Sequence, residues 1–226
     1  CCDKTGTLTK GEFTLEDFVA PDGLRDPGVL LLGALTGASE CGVPMAPAAN
    51  PTDHAIWAAA EFGPLRAAFS DFEVLDRFPF DYRRRRSSVL ARGAEGSVLL
   101  VKGAAEAVLD QCTTVAAAHG EVPMSDGRRA ELMAAVSRYE EDGLRVLALA
   151  DRPFNGTRVA IEDESSLRLR GFRLFADPPK PDVRDTLAAL ARLGVGVRIL
   201  SGDSAVVTRR VCREAGVVVA GGRVVT

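Results

Sequence analysis

Asp3-Lys4-Thr5-Gly6-Thr7-Leu8-Thr9 opens the chain and decides how the rest is read. This short stretch gathers a carboxylate, an ammonium, three hydroxyls and a glycine. A phosphate-handling nucleophile needs those groups: an oxygen to attack, a cation to offset charge, and pliant backbone to wrap the phosphoryl oxygens. The competing reading is a polar turn leaving a short strand. A bare Asp-Lys pair would favour the turn; the complete heptad favours the phosphate site.

Outward from that stretch, 226 residues allow one large domain or two modest ones, with ample core. A hydrophobic content of 46% and a charged content of 26% describe a globular chain. The net charge of −3 gives no general pull toward anionic membrane or nucleic acid, so nucleic acid is not an expected partner. The five cysteines, Cys1, Cys2, Cys41, Cys112 and Cys212, are odd in number and lack a C-x-x-C pair. Neither a disulfide framework nor a zinc site is indicated, and a reducing compartment fits. No apolar run approaches the ~18 residues of a spanning helix; the longest, from Gly28 to Ala38, is too short. Because the chain starts on Cys1, almost on top of its best motif, it is expected to be a piece of a longer protein. Lysines occur only at Lys4, Lys10, Lys102 and Lys180, against many arginines. The two cations are not interchangeable near phosphate, so a retained lysine marks a specific chemical need.

From Cys1 to about Phe18 the pattern is a strand end, a polar loop and an alternation at Phe13, Leu15 and Phe18; Pro21 to Pro27 is linker-like. Val29–Ser39 reads as an apolar helix. Asn50-Pro51-Thr52-Asp53 opens a second, with Ile56, Trp57 and Ala60 on one face. Phe72–Phe80, Ser87–Ala91 and Ser97–Val101 are β-rich runs broken by Gly93 and Gly96. Helices are expected at about Ala104–Gln111 and Gly127–Asp142, a strand at Leu144–Ala150, and a hairpin-type turn at Asn155-Gly156. After Glu162-Asp163-Glu164 come a strand at Leu167–Ala176, a helix at Pro181–Leu193, a buried strand at Val195–Leu200, a helix at Ala205–Ala215 and a strand at Val217–Val219. That alternation signals parallel α/β structure, so a middle α+β block interrupts an α/β domain begun by the N-terminal motif.

Further motifs stand along the chain. Ser201-Gly202-Asp203 follows an apolar run, where α/β sheets bind ligands at the carboxyl ends of strands; alone it would be a strand–helix turn with a capping Asp203 or Ser204. Asp177-Pro178-Pro179-Lys180 stiffens the backbone with two prolines and also suits a helix start. Lys102-Gly103-Ala104 ends a strand, so the lysine would project into a pocket and Gly103 would let a ligand approach the backbone. A surface lysine is the default for such a tripeptide. Phe80-Asp81-Tyr82-Arg83-Arg84-Arg85-Arg86 joins aromatics to four arginines; a core phenylalanine and a solvated basic face are the plain alternatives. Gly143-Leu144-Arg145-Val146 sets one arginine between apolar neighbours. His54 and His119 lack partners at ligand or triad spacing, and no G-x-x-x-x-G-K-[ST] loop occurs.

The order Asp-Lys-Thr-Gly-Thr, Lys-Gly-Ala, Asp-Pro-Pro-Lys, Ser-Gly-Asp resembles that of the P-type cation-transporting ATPases, which belong to the haloacid dehalogenase-like superfamily. The resemblance covers essentially the whole chain. Phe78-Pro79-Phe80-Asp81-Tyr82-Arg83-Arg84-Arg85 and Phe175-Ala176-Asp177-Pro178-Pro179-Lys180 look most like the bacterial magnesium-transporting subgroup. It implies an α/β fold: a partial Rossmann-like, haloacid dehalogenase-type phosphorylation domain (residues 1–18 and 169–226), interrupted by an inserted α+β nucleotide-binding domain (residues 19–168) with an antiparallel sheet. It implies ATP as substrate, Mg2+ as cofactor, and an aspartyl-phosphate at Asp3. Lys4, Thr5, Thr7, Ser201, Gly202 and Asp203 would surround the phosphate, and Asp3 and the Thr5 carbonyl would hold Mg2+. Asp53, Phe80, Arg85, Lys102, Gly103, Arg145, Asp177 and Lys180 would contact the nucleotide. Asp53 stands where the family has a longer glutamate, and the arginine run leaves the register of Arg85 open by one.

Thr5 also stands where phosphatases of that superfamily carry a second aspartate. A hydroxyl activates water poorly, so an acyl phosphate formed here would persist, as a pump requires. The later Gly-Asp-Gly-x-Asn-Asp segment and its downstream lysine do not occur before Thr226. The nucleotide domain is therefore expected to fold well and the phosphorylation domain poorly. The implied setting is a monomeric cytoplasmic portion of a protein in the bacterial plasma membrane, with the transported cation bound by helices outside this chain. A soluble phosphatase and a non-catalytic nucleotide-binding module are the alternatives.

Overall fold

The computed structural model describes residues 1–37, 50–201 and 205–216. In chain order the elements are β1 (Cys2–Asp3), an irregular helical turn (Lys4–Leu8), β2 (Thr14–Val19), α1 (Pro27–Leu35), α2 (Pro51–Ala58), a 3-10 turn (Ala60–Leu65) and α3 (Arg66–Ser70). Then follow β3 (Glu73–Asp81), β4 (Arg86–Gly93), β5 (Gly96–Ala104), α4 (Ala105–Leu109), β6 (Cys112–Ala117), β7 (Gly120–Pro123) and α5 (Asp126–Glu141). The last elements are β8 (Arg145–Pro153), a 3-10 turn (Ile161–Asp163), β9 (Leu167–Ala176), α6 (Val183–Arg192), β10 (Ile199–Leu200) and α7 (Ala205–Glu214). Among the described residues no helix is long and apolar enough to cross a membrane.

An eight-stranded, mostly antiparallel sheet in the order β3-β4-β5-β8-β9-β6-β7 organises the chain. Along one edge β9 pairs with β8. Its other edge is shared: β6 runs parallel to Leu167–Leu169, and β2 runs antiparallel to Phe172–Ala176. One face packs Val89, Leu100, Leu149 and Phe175 under Leu30, Leu35, Ile56, Phe62 and Phe69 of α1 to α3 and the turn between them. The other packs Leu99, Val101, Val146, Ala148, Phe172 and Leu174 under α4 and α5. Both faces are buried, so these strands read as apolar runs rather than alternations.

The helices start where their sequence says. Asp26 caps α1 by accepting from Gly28 N, and Asn50 caps α2 by accepting from Thr52 N, each with a proline in the first turn. Ser125 caps α5 in the same way through Arg128 N.

Several expectations give way. Asn155-Gly156 makes no tight hairpin; β8 and β9 are antiparallel neighbours joined by residues 154–166, whose Phe154 and Val159 pack against the α4–α5 core. The strand expected over Val195–Leu200 shrinks to Ile199–Leu200, with Val195 49% and Leu200 61% exposed, because its only described neighbour is the two-residue β1. Ala60 is exposed, since the helix ends at Ala58 and turns into a 3-10 segment. Residues 18 and 168, after which divisions were expected, lie in β2 and β9, which pair with each other. Outside the large sheet, where only β6 and β9 run parallel, the described parallel pairing is β1 beside β10, with α6 and α7 following β9 and β10 in the chain. The strand expected at Val217–Val219 lies outside the described residues.

Candidate functional site

A cavity of about 340 Å³ opens on the α1–α3 side of the large sheet, between the start of α2 and the β3–β4 hairpin. Asp53 and Trp57 line it from α2, Phe78 and Phe80 from β3, Ser87 from β4 and Lys102 from β5. Cross-strand pairing fixes this set: Ser87 is opposite Lys102, and Lys102 opposite Leu149, on one face of the sheet.

Lys102 is only 8% exposed. Its Nζ donates to both Asp53 carboxylate oxygens, at 2.6 Å each. Burial pushes the Lys102 ammonium down to about 8; Asp53 opposes that fall, while Arg173 and Arg77 add to it. Beneath the pair lies Arg173 of β9, fully buried. Its Nη1 donates to Gly33 O at 3.2 Å, whereas Nε and Nη2 have no hydrogen-bond partner among the described residues. Burial holds this guanidinium down at about 10, with Asp53 pulling the other way. The floor of the cavity thus carries more positive than negative charge.

Phe80 is 53% exposed at the cavity mouth and meets Tyr82 edge-to-face at 5.3 Å. The arginine run divides by direction. Arg84 and Arg86 turn inward to the buried carboxylate of Glu164, which also accepts from Ser88 Oγ at 2.9 Å. Arg85 adopts a left-handed backbone (φ 51) and turns outward, 2.6 Å from Glu106, with half its side chain in solvent. Asp81 shapes this bend by accepting from the backbone of Arg84 and Arg83. Those bonds, Arg84's the larger, hold its carboxyl below the ordinary value. At Gly103 the space a Cβ would take is filled by the Arg85–Arg86 backbone, so this glycine admits the chain itself. Arg145 lies outside the cavity lining, with its guanidinium 5.4 Å from the Phe13 ring centroid.

A second constellation gathers where the N-terminal heptad meets the end of β9. Asp177 accepts from Thr9 Oγ1 at 2.7 Å and Gly11 N at 3.1 Å, and lies 3.6 Å from the buried Lys4 ammonium. Lys180 Nζ donates to Gly6 O at 2.9 Å. Two backbone bonds, Lys10 N to Pro178 O and Lys180 N to Leu8 O, zip the strands together. Asp3 is exposed at the carboxyl end of β1 and pairs with Leu200, so Ser201 emerges beside it from β10. Thr5 and Thr7 are exposed on the turn, which Gly6 permits with φ 77. Gly202 and Asp203 lie outside the described residues.

The structure therefore brings Asp53, Phe80 and Lys102 together, and separately Asp3, Lys4, Thr5, Thr7, Ser201, Asp177 and Lys180. Arg85 and Arg145 flank the first group without lining it. Trp57, Ser87, Glu164 and Arg173 were not singled out by the sequence. The contacts of Glu164 and Arg173 span long sequence separations that no local pattern announces.

Residues 38–182 match the family model described as P-type ATPase, cytoplasmic domain N. The chain is 37% identical over 226 residues to the magnesium-transporting ATPase, P-type 1, of Salmonella typhimurium, with 96% of this chain covered. It is 34% identical over 219 residues to the protein of the same name in Escherichia coli K12. A plasma membrane-type calcium-transporting ATPase 8 of Arabidopsis thaliana is 28% identical over 243 residues. The chain spans 24% of the length of the two magnesium-transporting relatives.

Proposed function

This chain belongs to the P-type ATPases and carries their nucleotide-binding cytoplasmic domain N, and from that premise we propose that it binds ATP in the cavity between α2 and the β3–β4 hairpin. The buried Lys102–Asp53 pair opposite the exposed ring of Phe80 carries this reading. Phe80 offers a free aromatic face for the adenine ring. Lys102 and Asp53 present a cation and an acceptor to its polar edge. The positive floor suits an electron-rich ligand, and Arg85 and Arg145, outside the lining, would have to reorient to meet its phosphates.

Within the whole protein, Asp3 would attack the γ-phosphorus of ATP through a carboxylate oxygen. ADP leaves and an aspartyl-phosphate remains. Lys4, Thr7, Ser201, Gly202 and Asp203 would be the groups offered to the phosphoryl oxygens, and Asp177 with Lys180 would tie the approach of the two parts. The Asp3 carboxylate and Thr5 carbonyl are hard oxygen donors of the kind Mg2+ takes, with its remaining positions left to water and phosphate. Bound there, Mg2+ would neutralise phosphate charge. The cycle would drive cation transport through membrane helices outside this chain, with Mg2+ the cation favoured by the magnesium-transporting relatives and the bacterial plasma membrane the setting.

Titration of the chain with ATP tests the pocket. We expect binding, weakened at least tenfold by Lys102→Ala or Phe80→Ala. Wild-type affinity in both variants would move the site elsewhere. In the full-length protein, a hydroxylamine-sensitive phosphoenzyme lost in Asp3→Asn tests the second step.

A further inference from the structure

We infer that Glu164 is a positioning residue for the nucleotide pocket: from the loop before β9 it holds the β3–β4 wall against which the base packs. The inference rests on the ATP reading above and adds a residue that lies outside the cavity lining.

The Glu164 side chain is fully buried. One carboxylate oxygen takes both Arg84 Nη1 and Arg86 Nε, the latter at 2.8 Å; the other takes Ser88 Oγ at 2.9 Å. Two of the three partners, Arg84 and Ser88, lead directly to the cavity. Arg84 Nη2 donates to Pro79 O at 3.0 Å, and its guanidinium covers the Phe78 ring at 4.5 Å. Ser88 lines the cavity itself, beside Ser87 and Val89, and Phe78, Pro79 and Phe80 line it from the other arm of the hairpin. One carboxylate therefore grips both arms.

The loop that carries Glu164 is itself anchored. Val159 N donates to Asp76 Oδ2 at 2.7 Å. Asp163 accepts from Ala160 N at 2.8 Å and pairs with Arg152 at 3.3 Å. Ser165 Oγ donates to Glu162 O, and Ser166 takes a left-handed φ of 52 to pass the chain into β9. The loop is thus tied to β3 through Asp76 and to β8 through Arg152.

This arrangement also assigns the arginine run. Arg84 and Arg86 are held by Glu164, and the left-handed turn at Arg85 sends that guanidinium to the outside. Without the carboxylate, two guanidiniums that share one oxygen would be left side by side, and like charges at that separation repel. The wall would open at Pro79 and Ser88, and Phe80 would lose its fixed angle.

The test compares adenosine, ADP and ATP binding by the wild-type chain, Glu164→Gln and Glu162→Gln, with Trp57, the one tryptophan, as fluorescence reporter in the cavity. Temperatures well below the melting transition keep every protein folded. Glu164→Gln should raise the adenosine dissociation constant about tenfold, the effect of losing one charged hydrogen-bond set. The ATP-to-adenosine affinity ratio should be kept or increased, because two arginines are released to meet phosphate charge. Glu162→Gln removes an equal charge from the same loop and should change nothing. A loss confined to unfolding would weaken all three ligands only as far as the folded fraction falls. Should Glu164→Gln fold poorly, Arg84→Lys keeps the charge, loses the bridge to Pro79 O, and should cost adenosine affinity severalfold. Adenosine binding unchanged in both variants overturns the inference and leaves the ATP reading standing. A wild-type chain that binds no adenine nucleotide overturns both.

Discussion

Thr9 Oγ1 donates a 2.7 Å hydrogen bond to Asp177 Oδ2 across 168 residues of chain. The large sheet departs from and returns to this point: β2 leaves just after Thr9, and β9 ends just before Asp177. The same carboxylate accepts from Gly11 N and faces Lys4, whose side chain is 1% exposed. Such a carboxylate is a junction between two strand connections rather than a surface charge.

Asp177→Asn keeps the shape and removes the charge from a buried pair. Breaking buried pairs of this kind costs about 3 kcal/mol. Urea denaturation should show that loss, and Thr9→Val about 1 kcal/mol of it through the hydroxyl alone. A stability within roughly 0.5 kcal/mol of wild type for Asp177→Asn, the range of surface substitutions, would mean that the junction bears no energy.

Lys102 makes stability depend on pH. Its ammonium is held at about 8 in the fold against an ordinary 10.5. Between those values the unfolded chain binds the extra proton, so stability rises with pH there. The contribution is fully present above 10.5 and is lost as pH falls through 8. Relative to Lys102→Met, the wild type should therefore gain on the order of 3 kcal/mol from pH 7.5 to 10.5. A constant difference between the two across that range would place the lysine in solvent. ATP affinity should fall over the first part of the same rise, as the cation facing the ligand is lost.

Most strands were legible because both faces of the sheet are buried and the runs between glycines are short and apolar. Leu167–Ala176 coincides with β9 to the residue. The side on which each of its residues lies was not legible. Leu167 and Leu169 face the α4–α5 core, and so do Phe172 and Leu174, so the alternation changes phase at Gly171. Gly171 has a φ of 150, and a Cβ there would run into the Val19 carbonyl. The phase change sends Arg173 beneath α1, whereas Arg168 and Arg170 meet Asp151 at the margin. Three arginines of like appearance thus have two fates. Glu164 was read as part of an acidic boundary, and the arginine run as a nucleotide contact or a solvated basic face; 76 to 80 residues separate the carboxylate from its three partners. The Lys-Gly-Ala tripeptide and the capped start of α2 drew attention to Lys102 and Asp53 one by one; that the two pair was not legible, because 49 residues separate them.

Arg173 is a charge buried with incomplete hydrogen bonding. Replacing such a group by an apolar one of similar reach is neutral or stabilising. Arg173→Met should raise stability by about 1–2 kcal/mol, or by several degrees in melting temperature at this size. Asp53 keeps Lys102 as its partner in the variant. A clear drop in melting temperature would show that the guanidinium holds the Asp53–Lys102 pair in place, and the pH dependence of Lys102 should then change with it.

Gly33 explains how the arginine fits. A Cβ at this position would stand 2.8 Å from Arg173 Cδ and 3.0 Å from Nη1, atoms that cannot swing away while Nη1 is bonded to Gly33 O. Gly33→Ala should therefore destabilise the wild type by about 1–3 kcal/mol through overpacking, even though alanine favours a helix by about 1 kcal/mol over glycine. In the Arg173→Met background the unbranched side chain is free of that bond and shifts aside. There Gly33→Ala should be neutral or stabilising. The double-mutant cycle reads the difference as a coupling of about 2 kcal/mol. Additive effects of the two substitutions would mean that α1 and β9 are spaced by other contacts, and that Gly33 is not the cause of the slot.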